Sequence, residues 1–175
     1  MIRRPPRSTH CISSAASDVY KRQYVKDGIS EGAELLIGGE KLNNLAGYFY
    51  PPTVLKLKDP ENILFKEEIF GPVVAILPFD SEIEAIELAN KTHYGLAGGI
   101  WTKDISKAIR VAKSIEAGYL WINTYGGIIP ETPYGGFKQS GYGKELGHEG
   151  LDEYLQIKNI SIFTGEQIPK WYGDN

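Results

Sequence analysis

The stretch from Val73 to Ile122 decides the fold and reads VVAILPFDSEIEAIELANKTHYGLAGGIWTKDISKAIRVAKSIEAGYLWI. Short apolar runs, typical of strands, alternate in it with longer segments whose apolar residues have helical spacing. The predicted elements are, in order, a buried strand at Val73–Phe79, a helix at about Glu82–Lys91, a strand at Leu96–Trp101, a helix at about Asp104–Glu116 and a strand at Tyr119–Ile122. This alternation over short connections predicts an α/β fold with a parallel sheet and right-handed crossovers.

The two predicted helices have recognisable ends. Ser81 and Glu84 form a capping box at the start of the first helix, with Asp80 as a competing cap. Gly118 ends the second helix, and apolar residues at helical spacing place one face of it against the sheet: Ile105, Ala108, Ile109, Ala112 and Ile115. Such faces and sheet edges need partners, so we expect poor solubility if part of the domain is missing.

Weaker patterns flank this unit. Before it we predict the last turns of a helix at Tyr24–Gly32, strands at Glu34–Ile37, Tyr48–Tyr50 and Thr53–Leu57, and a helical turn at Asn62–Phe65. After it we predict a long Gly- and Pro-rich loop at Gly126–Ser140, a helix at Gly147–Gln156, a strand at Ile157–Phe163 and a mobile tail from Gly165. A terminal strand of this kind often pairs outside its own domain.

Residues 1–23 differ from the rest of the chain. They contain five basic side chains and one acidic, whereas the formal net charge of the whole chain is −3, so the body is acidic. Pro5-Pro6 and a Ser/Ala run give no helical or strand period. A mitochondrial transit peptide has this composition, but such a peptide precedes the beginning of a fold, and here we expect the fold to begin part-way through an element at Tyr24. We therefore expect a disordered, non-native leader that resembles translated sequencing-adapter sequence.

Composition excludes several classes of protein. The chain has 175 residues, is 42% hydrophobic, and has no apolar run long enough to span a bilayer, so we expect a soluble, cytoplasmic protein without a membrane partner. The acidic body argues against nucleic acid as a partner. Cys11 is the only cysteine, so no intramolecular disulfide is possible, and its flanks do not favour a catalytic role. His93 and His148 are isolated, so no metal site is expected.

The stretch Lys66–Val73 (KEEIFGPV) places two carboxylates and an aromatic ring before a rigid Gly-Pro corner. A carboxylate at a strand edge can accept two hydrogen bonds from the vicinal hydroxyls of a ribose, and an aromatic ring nearby can lie against a flat heterocycle. The alternative is a solvated acidic turn with Phe70 filling the core. Residue type alone favours this structural alternative.

Residues 24–163 resemble the C-terminal part of the aldehyde dehydrogenase superfamily. Four stretches carry the resemblance in the family's order: Lys66–Val73, Tyr94-Gly95-Leu96, Trp121-Ile122-Asn123-Thr124 and Pro133–Gly141 with its extension Lys144–Gly147. The resemblance implies a parallel three-layer α/β fold of the catalytic domain, NAD or NADP as cofactor, and a homo-dimer or homo-tetramer. It also implies that Glu68 holds the hydroxyls of the nicotinamide ribose and that Phe70 packs near the nicotinamide ring.

The family oxidises an aldehyde to an acid through a cysteine thioester, with an oxyanion hole and a general-base glutamate. In the family these catalytic residues lie N-terminal to the matching motifs, so the nucleophile and the general base are absent here. We therefore predict a fragment that is inactive alone. The alternatives are a short non-catalytic module that binds a nucleotide or a subunit, and a family relative that acts on acyl phosphates or semialdehydes.

The resemblance also assigns the loop between Asn123 and Tyr134 to the wall of the substrate tunnel. Tyr125, Ile128 and Tyr134 would form an apolar and aromatic wall, and Glu131 would add a carboxylate that favours cationic aldehydes of the betaine-aldehyde or aminoaldehyde kind. The alternative for Glu131 is a surface carboxylate that caps a backbone turn.

These interpretations divide the chain into four segments. They are a leader at residues 1–23, a partial catalytic domain at 24–156, an oligomerisation strand at 157–164 and a tail at 165–175.

Overall fold

A computed structural model describes residues 14–40 and 49–165. Its elements, in chain order, are α1 (Ser14–Ser30), β1 (Glu34–Ile37), β2 (Thr53–Lys56), α2 (Ile63–Lys66), β3 (Val73–Ile76), α3 (Glu82–Lys91), β4 (Tyr94–Gly95), β5 (Ala97–Ile100), α4 (Ile105–Ser114), β6 (Tyr119–Ile122), β7 (Phe137–Lys138) and α5 (Gly147–Asp152). Most elements of the central stretch therefore begin and end within a few residues of their predicted bounds. The helical turn after Asn62 and the end of α1 before Gly32 also match.

The strands form three small sheets. In the first, β2 pairs with β1 antiparallel and with β3 parallel. In the second, β5 and β6 are parallel, as expected for the β5–α4–β6 crossover. In the third, β4 and β7 are antiparallel. The prediction that β3 joins β5 and β6 in one sheet is therefore wrong for the described residues, because β3 pairs with β2 and the sequence pattern cannot show which strands are neighbours.

The buried core lies on one face of the β1–β2–β3 sheet. Its members come from α1, α2, β2 and the segments that follow α1 and β2: Val25, Ala33, Leu55, Leu57 and Leu64. Val73, Ala75 and Leu77 pack against this cluster, whereas Val74 and Ile76 are exposed. The prediction of a fully buried strand from Val73 is thus wrong, since only alternate side chains of β3 reach the core.

One buried amide joins α1 to α2. The Asn62 side-chain NH2 donates to the carbonyl of Gly28 (2.9 Å), and its oxygen accepts from the Leu64 N–H (3.0 Å) at the start of α2. Glu31 adds a second tie, since its carboxylate accepts from the Ile63 N–H (2.6 Å). The start of the short helix α2 is therefore held by hydrogen bonds to α1 and to the segment that follows α1.

The predicted cap of α3 is present, and α4 has a cap that was not predicted. Ser81 Oγ accepts from the Glu84 N–H (3.1 Å), while the Glu84 carboxylate accepts from the Asp80 N–H (2.7 Å), so the reciprocal bond of the capping box goes to the residue before the cap. Asp104 caps α4 through the Lys107 N–H (3.0 Å). The apolar face of α4 is less covered than predicted: Ala108 is buried, but Ile105 and Ile109 are exposed.

Helix α1 contradicts part of the predicted leader. It begins at Ser14 and crosses the predicted boundary after residue 23, so residues 14–23 are helical and not disordered. Alanine, lysine, arginine and glutamine favour a helix without needing an apolar period, and the packing of Val25 anchors the helix further along. The remainder of the predicted leader, residues 1–13, lies outside the described residues.

The C-terminal part also differs from the prediction. Helix α5 ends at Asp152, before the predicted end at Gln156. The stretch Ile157–Phe163 forms no strand in the described part of the chain, and its side chains are exposed, because a strand requires a second backbone to pair with. Phe49-Tyr50 is not a strand either. Tyr48 and the tail from Glu166 lie outside the described residues. No helix among the described residues is long and apolar enough to cross a membrane.

Candidate functional site

The loop between α2 and β3 carries the two predicted cofactor residues. Along it the side chains alternate, so that Ile69 packs against the buried cluster while Glu68 and Phe70 on either side are exposed. Phe70 is 60% exposed, so the interpretation in which it fills the core is wrong. For Glu68 the structure records no hydrogen bond or ion pair with another described residue. Because Ile69 packs against the core, the neighbouring side chains of Glu68 and Phe70 point to solvent.

Hydrogen bonds and a close contact hold this loop. The Gly71 N–H donates to the Ile69 carbonyl and the Val73 N–H to the Gly71 carbonyl (both 2.8 Å), which gives two tight turns in succession. The Thr53 N–H donates to the Pro72 carbonyl (2.8 Å) and ties the loop to β2. A Cβ at position 71 would lie 2.7 Å from Cδ of Lys21, so a larger residue there would require the Lys21 side chain to move.

The second group of predicted residues lies around β6. The Tyr119 ring contacts those of Trp121 (centroids 4.8 Å apart) and Tyr134 (5.7 Å), and the Trp121 ring contacts that of Tyr125 (4.9 Å). The Trp121 indole N–H donates to the Gly127 carbonyl (2.6 Å) and so draws the loop over the ring. Tyr125 and Tyr134 are therefore joined through a shared aromatic cluster, consisting of Tyr119, Trp121, Tyr125 and Tyr134.

Ile128 and Glu131 belong to the same loop and are exposed. The turn that contains Glu131 is closed by Thr132, whose N–H and hydroxyl both donate to the Ile129 carbonyl (3.0 and 2.9 Å). In the described part of the chain no hydrogen bond from the backbone to the Glu131 carboxylate is recorded. The alternative role of Glu131 as a turn cap is therefore filled by Thr132.

Asn123 holds the beginning of this loop, a role that sequence reasoning missed. Its backbone has φ +56°, and its side chain exchanges two hydrogen bonds with the backbone of Thr102: Oδ1 accepts from the N–H and the NH2 donates to the carbonyl (both 2.9 Å). The loops after β5 and β6 are thus tied together at the carboxyl edge of the parallel pair. Asparagine tolerates the left-handed region well, which makes it a recognisable candidate for such a position.

Lys138 is the second residue that sequence reasoning missed. Its ammonium donates to the carbonyls of Asn90 (2.7 Å) and Thr92 (3.1 Å) and forms an ion pair with Glu116 (2.7 Å). All three of its protons thus have acceptors, at the C-terminal ends of α3 and α4. The backbone of Lys138 has φ +52°, an unusual conformation for a residue with a side chain. The motif around Phe137 gave no signal for this arrangement because the acceptors come from distant positions.

Lys144 stabilises the backbone of Gly135-Gly136 in the same motif. The Lys144 ammonium donates to the carbonyls of Gly135 (3.0 Å) and Gly136 (3.4 Å) and lies 5.0 Å from the centre of the Phe137 ring. Tyr134 and Glu145 exchange two backbone hydrogen bonds (2.7 Å each) beside it. The loop that carries Tyr134 is therefore held at several points along its length.

Carboxylates at helix ends have lowered pKa values with clear causes. Hydrogen bonds from Lys66 and then Lys91 lower the pKa of Glu61 to about 2. The two-pronged hydrogen bond from Arg110 (3.0 and 2.9 Å) lowers the pKa of Glu82. These exposed ion pairs connect neighbouring elements. Across the described residues, no cluster of three or more His, Cys, Asp or Glu side chains is placed to hold a metal ion.

The structure thus presents two separate groups of candidate residues. Glu68 and Phe70 flank one anchored residue before β3, and Tyr125, Ile128, Glu131 and Tyr134 lie on or beside the loop after β6. No contact between the two groups is recorded in the described ranges. Each group lies at the surface and is positioned by the packing and hydrogen bonds of its own part of the chain.

Comparison with known proteins identifies the class. Residues 10–160 match the model of the aldehyde dehydrogenase family, so the chain belongs to this family. The expected α/β fold of the C-terminal part of the catalytic domain is confirmed by its similarity to solved aldehyde dehydrogenase structures. The match begins at residue 10, before the predicted start of the fold at Tyr24.

Among its relatives, betaine aldehyde dehydrogenase of Bacillus subtilis is 44% identical over 166 residues, covering 92% of this chain and 34% of that protein. Peroxisomal aminoaldehyde dehydrogenase 1 of Pisum sativum is 39% identical, with 93% and 30% covered. A structure of betaine aldehyde dehydrogenase of Staphylococcus aureus with NAD+ has a TM-score of 0.84 at 41% identity, covering 93% of this chain and 33% of that one. The chain spans about a third of the length of these relatives.

Proposed function

We propose that the chain is the part of an NAD(P)-dependent aldehyde dehydrogenase that contacts the nicotinamide half of the cofactor and forms one wall of the substrate tunnel. The whole enzyme would oxidise an aldehyde to a carboxylic acid. The observation that carries this proposal is the loop before β3, where partly buried Ile69 packs against the core and leaves Glu68 and Phe70 on either side of it exposed. An exposed carboxylate beside an exposed ring has little structural value, but it suits a nucleotide sugar.

The residues present fit the cofactor. The Glu68 carboxylate is exposed and can accept hydrogen bonds from both hydroxyls of a ribose, which are charge-assisted and therefore strong. The exposed Phe70 ring can lie against the nicotinamide ring. When bound, NAD(P)+ supplies the acceptor for the hydride that leaves the substrate carbon. The role of this chain in that step is to orient the nicotinamide half.

We propose a cationic aldehyde of the betaine-aldehyde or aminoaldehyde kind as the substrate. The exposed Tyr125 ring can contact an ammonium group, and Glu131 adds a negative charge on the same loop. Thr132 closes the backbone turn, which leaves the Glu131 carboxylate available for a ligand. The names of the relatives from Bacillus subtilis and Pisum sativum agree with this class of substrate.

These 175 residues would not catalyse the reaction alone. Cys11 is the only thiol, and it belongs to none of the four motifs that carry the resemblance to the family. A thioester mechanism needs a cysteine held near an oxyanion hole and a general base, which the family places before the matching motifs. Ile157–Phe163 would serve in the homo-oligomer, since its apolar side chains are exposed and its backbone has no strand partner among the described residues.

A hybrid enzyme tests the proposal. Residues 14–165 would replace the matching part of Bacillus subtilis betaine aldehyde dehydrogenase, and the hybrid would be assayed with betaine aldehyde and NAD+. We expect NADH formation by the hybrid and none by the 175-residue chain. In the hybrid, Glu68→Gln should raise the KM for NAD+ about 10- to 100-fold, because two charge-assisted hydrogen bonds weaken. Glu87→Gln, an exposed carboxylate on α3, is the matched control and should change nothing.

The other proposals predict different results. NADH formation by the isolated chain would contradict the assignment of the nucleophile to a missing part. If the chain is instead a non-catalytic nucleotide-binding module, it should bind NAD+ tightly alone, as measured by calorimetry, and the hybrid should be inactive. In an active hybrid, an unchanged ratio of kcat/KM for betaine aldehyde and a neutral aldehyde in Glu131→Gln would remove the proposed preference for cations.

A further inference from the structure

Tyr134 lies in a short segment, residues 134–136, that runs beside residues 143–145. Its N–H donates to the Glu145 carbonyl and the Glu145 N–H donates to its carbonyl (both 2.7 Å), which makes the two segments antiparallel. A Cβ at position 135 would lie 2.6 Å from the carbonyl oxygen of Gly143, and this backbone atom cannot turn away as a side chain could. Gly135 therefore lets the two segments pack backbone against backbone directly after Tyr134.

The Lys144 side chain extends from the second segment across the first. Its ammonium donates to the carbonyls of Gly135 (3.0 Å) and Gly136 (3.4 Å) and lies 5.0 Å from the centre of the Phe137 ring. Two successive carbonyl oxygens face one point there, where their partial negative charges would repel each other without a cation. Since the Lys144 side chain is half-buried, water screens these charge-assisted hydrogen bonds only in part. Lys144 thus fixes the two peptide groups that follow Tyr134.

The Tyr134 ring is held from the other direction by the aromatic cluster. Its centroid lies 5.7 Å from that of Tyr119, a member of the cluster that also contains Tyr125. The ring can keep this position only while the backbone at residue 134 does not shift. We propose that Lys144 is a positioning residue for the aldehyde: by holding the carbonyls after Tyr134, it keeps the Tyr134 ring in its place in the tunnel wall. This inference rests on the proposed role of Tyr134 in that wall.

A positioning role differs from a general contribution to stability in its kinetic signature. Among the described residues, no contact is recorded between Tyr134 and the loop of Glu68 and Phe70. Loss of the Lys144 ammonium should therefore weaken the binding of the aldehyde and leave the binding of NAD+ unchanged. A residue that only stabilises the fold would instead lower the fraction of active enzyme, which lowers the apparent kcat and changes neither KM.

The kinetic test uses the hybrid enzyme that carries residues 14–165. Lys144→Met keeps the aliphatic chain and removes the ammonium, so we expect the KM for betaine aldehyde to rise about ten-fold while the KM for NAD+ stays the same. Lys144→Arg should restore most of the lost affinity, since a guanidinium can also donate to two carbonyls. Gly135→Ala should give the same split with the ammonium intact, because its methyl group pushes the two segments apart. The control, Lys113→Met, replaces an exposed lysine in the last turn of α4 and should change neither KM.

A second measurement uses the 175-residue chain and needs no activity. Hydrogen exchange read by mass spectrometry should be faster in Lys144→Met for peptides that contain the amides of Tyr134 and Glu145, whose mutual hydrogen bonds Lys144 protects. Lys144→Arg should return the exchange towards that of the unsubstituted chain. Unchanged exchange in Lys144→Met would overturn the inference, whatever the activity of the hybrid.

The kinetic outcomes separate this inference from the proposed function. An unsubstituted hybrid that forms no NADH would overturn the proposed function and, with it, this inference. An active hybrid in which Lys144→Met leaves the KM for betaine aldehyde unchanged, or raises both KM values equally, would overturn the inference alone. A KM that falls for betaine aldehyde but not for a neutral aldehyde would also overturn it, because Lys144 would then act through repulsion of the cation and not through Tyr134.

Discussion

The β1–β2–β3 region and the β5–α4–β6 region both contain parallel strands, but they are stabilised differently. The first has a buried apolar cluster contributed by two helices and a sheet. Among its described residues the second has few buried side chains, such as Ala108 and Trp121, and a helix whose Ile105 and Ile109 are exposed. It relies instead on aromatic contacts and on side chains that bridge helix ends. Lys138 is one, and Asn90 is another, since its NH2 donates to the Ser114 carbonyl and its oxygen accepts from the Glu116 N–H (both 2.8 Å). The first region has its own apolar core. The second is stabilised by hydrogen bonds and ion pairs between helix ends, and one face of its helix is exposed.

The largest effect should come from truncation in the buried cluster. Leu55→Ala removes a fully buried side chain from the centre of the first sheet, and the cavity should lower the free energy of unfolding of that region by about 3 kcal/mol. Hydrogen exchange read by mass spectrometry should show the loss in peptides from β1 to β3. The described tryptophans, Trp101 and Trp121, both lie in the second region. Emission from Trp121 that changed with Leu55→Ala would contradict independent stabilisation of the two regions.

The next effect should come from Lys138. Lys138→Met keeps the aliphatic chain but removes the ammonium that joins the ends of α3 and α4, at a cost of about 2 kcal/mol for the charge-assisted bonds. Denaturation followed by tryptophan emission should show the loss. Lys113→Met, an exposed lysine in the last turn of α4, is the control. Equal destabilisation by both substitutions would show that general charge, and not the bridging geometry, matters.

A smaller effect is expected at the cap of α3. Ser81→Ala removes the oxygen that accepts from the Glu84 N–H, which should cost about 1 kcal/mol of local stability. Faster amide exchange in the first turn of α3 would report it. The control is Ser106→Ala on α4. No hydrogen bond of the Ser106 side chain is recorded among the described residues, so this substitution should leave exchange in α3 unchanged. If α3 frays equally in both variants, the cap does not hold it.

The smallest effect concerns the two exposed ion pairs of Glu61. Glu61 contacts Lys66 of α2 and Lys91 of α3 (both 2.7 Å), which lower its pKa from 4.5 to about 2. A carboxyl with a lowered pKa stabilises the folded state above its ordinary pKa, and this contribution is lost as the pH falls from about 4.5 towards 2. Because the group is exposed, salt should screen the effect. Lys91→Met should raise the pKa of Glu61 in an NMR titration, and an unchanged pKa would show that Lys91 has no influence.

Local signals in the sequence predicted much of the fold. The bounds of β1, α3 and β6 match, because strand alternation, capping and glycine stops depend on neighbouring residues alone. The errors concern partners distant in the chain. The separation of β3 from β5, the beginning of α1 at Ser14 and the absence of a strand at Ile157–Phe163 all depend on which other backbone or side chain is nearby. Sequence periodicity carries no such information.

The candidate site likewise contains residues that the sequence predicts and residues that it does not predict. Glu68 and Phe70 came from a motif, and alternation around Ile69 explains why both are exposed. Lys138 could not be found from the sequence, because its acceptors belong to Asn90, Thr92 and Glu116 on other elements. Its left-handed backbone is likewise a consequence of tertiary contacts, since glycine is the residue type expected there.

Because Lys21 contacts Gly71, trypsin cleavage at Lys21 can report on the state of the loop before β3. Lys21 and Arg22 are adjacent cleavage points for trypsin within α1, and the side chain of Lys21 covers Gly71. A protease can cut only where the backbone unfolds locally, so resistance at this pair measures how firmly the helix is seated on the loop. Slower trypsin cleavage there when NAD+ is added would reveal cofactor binding at Glu68 and Phe70 without any measurement of catalysis.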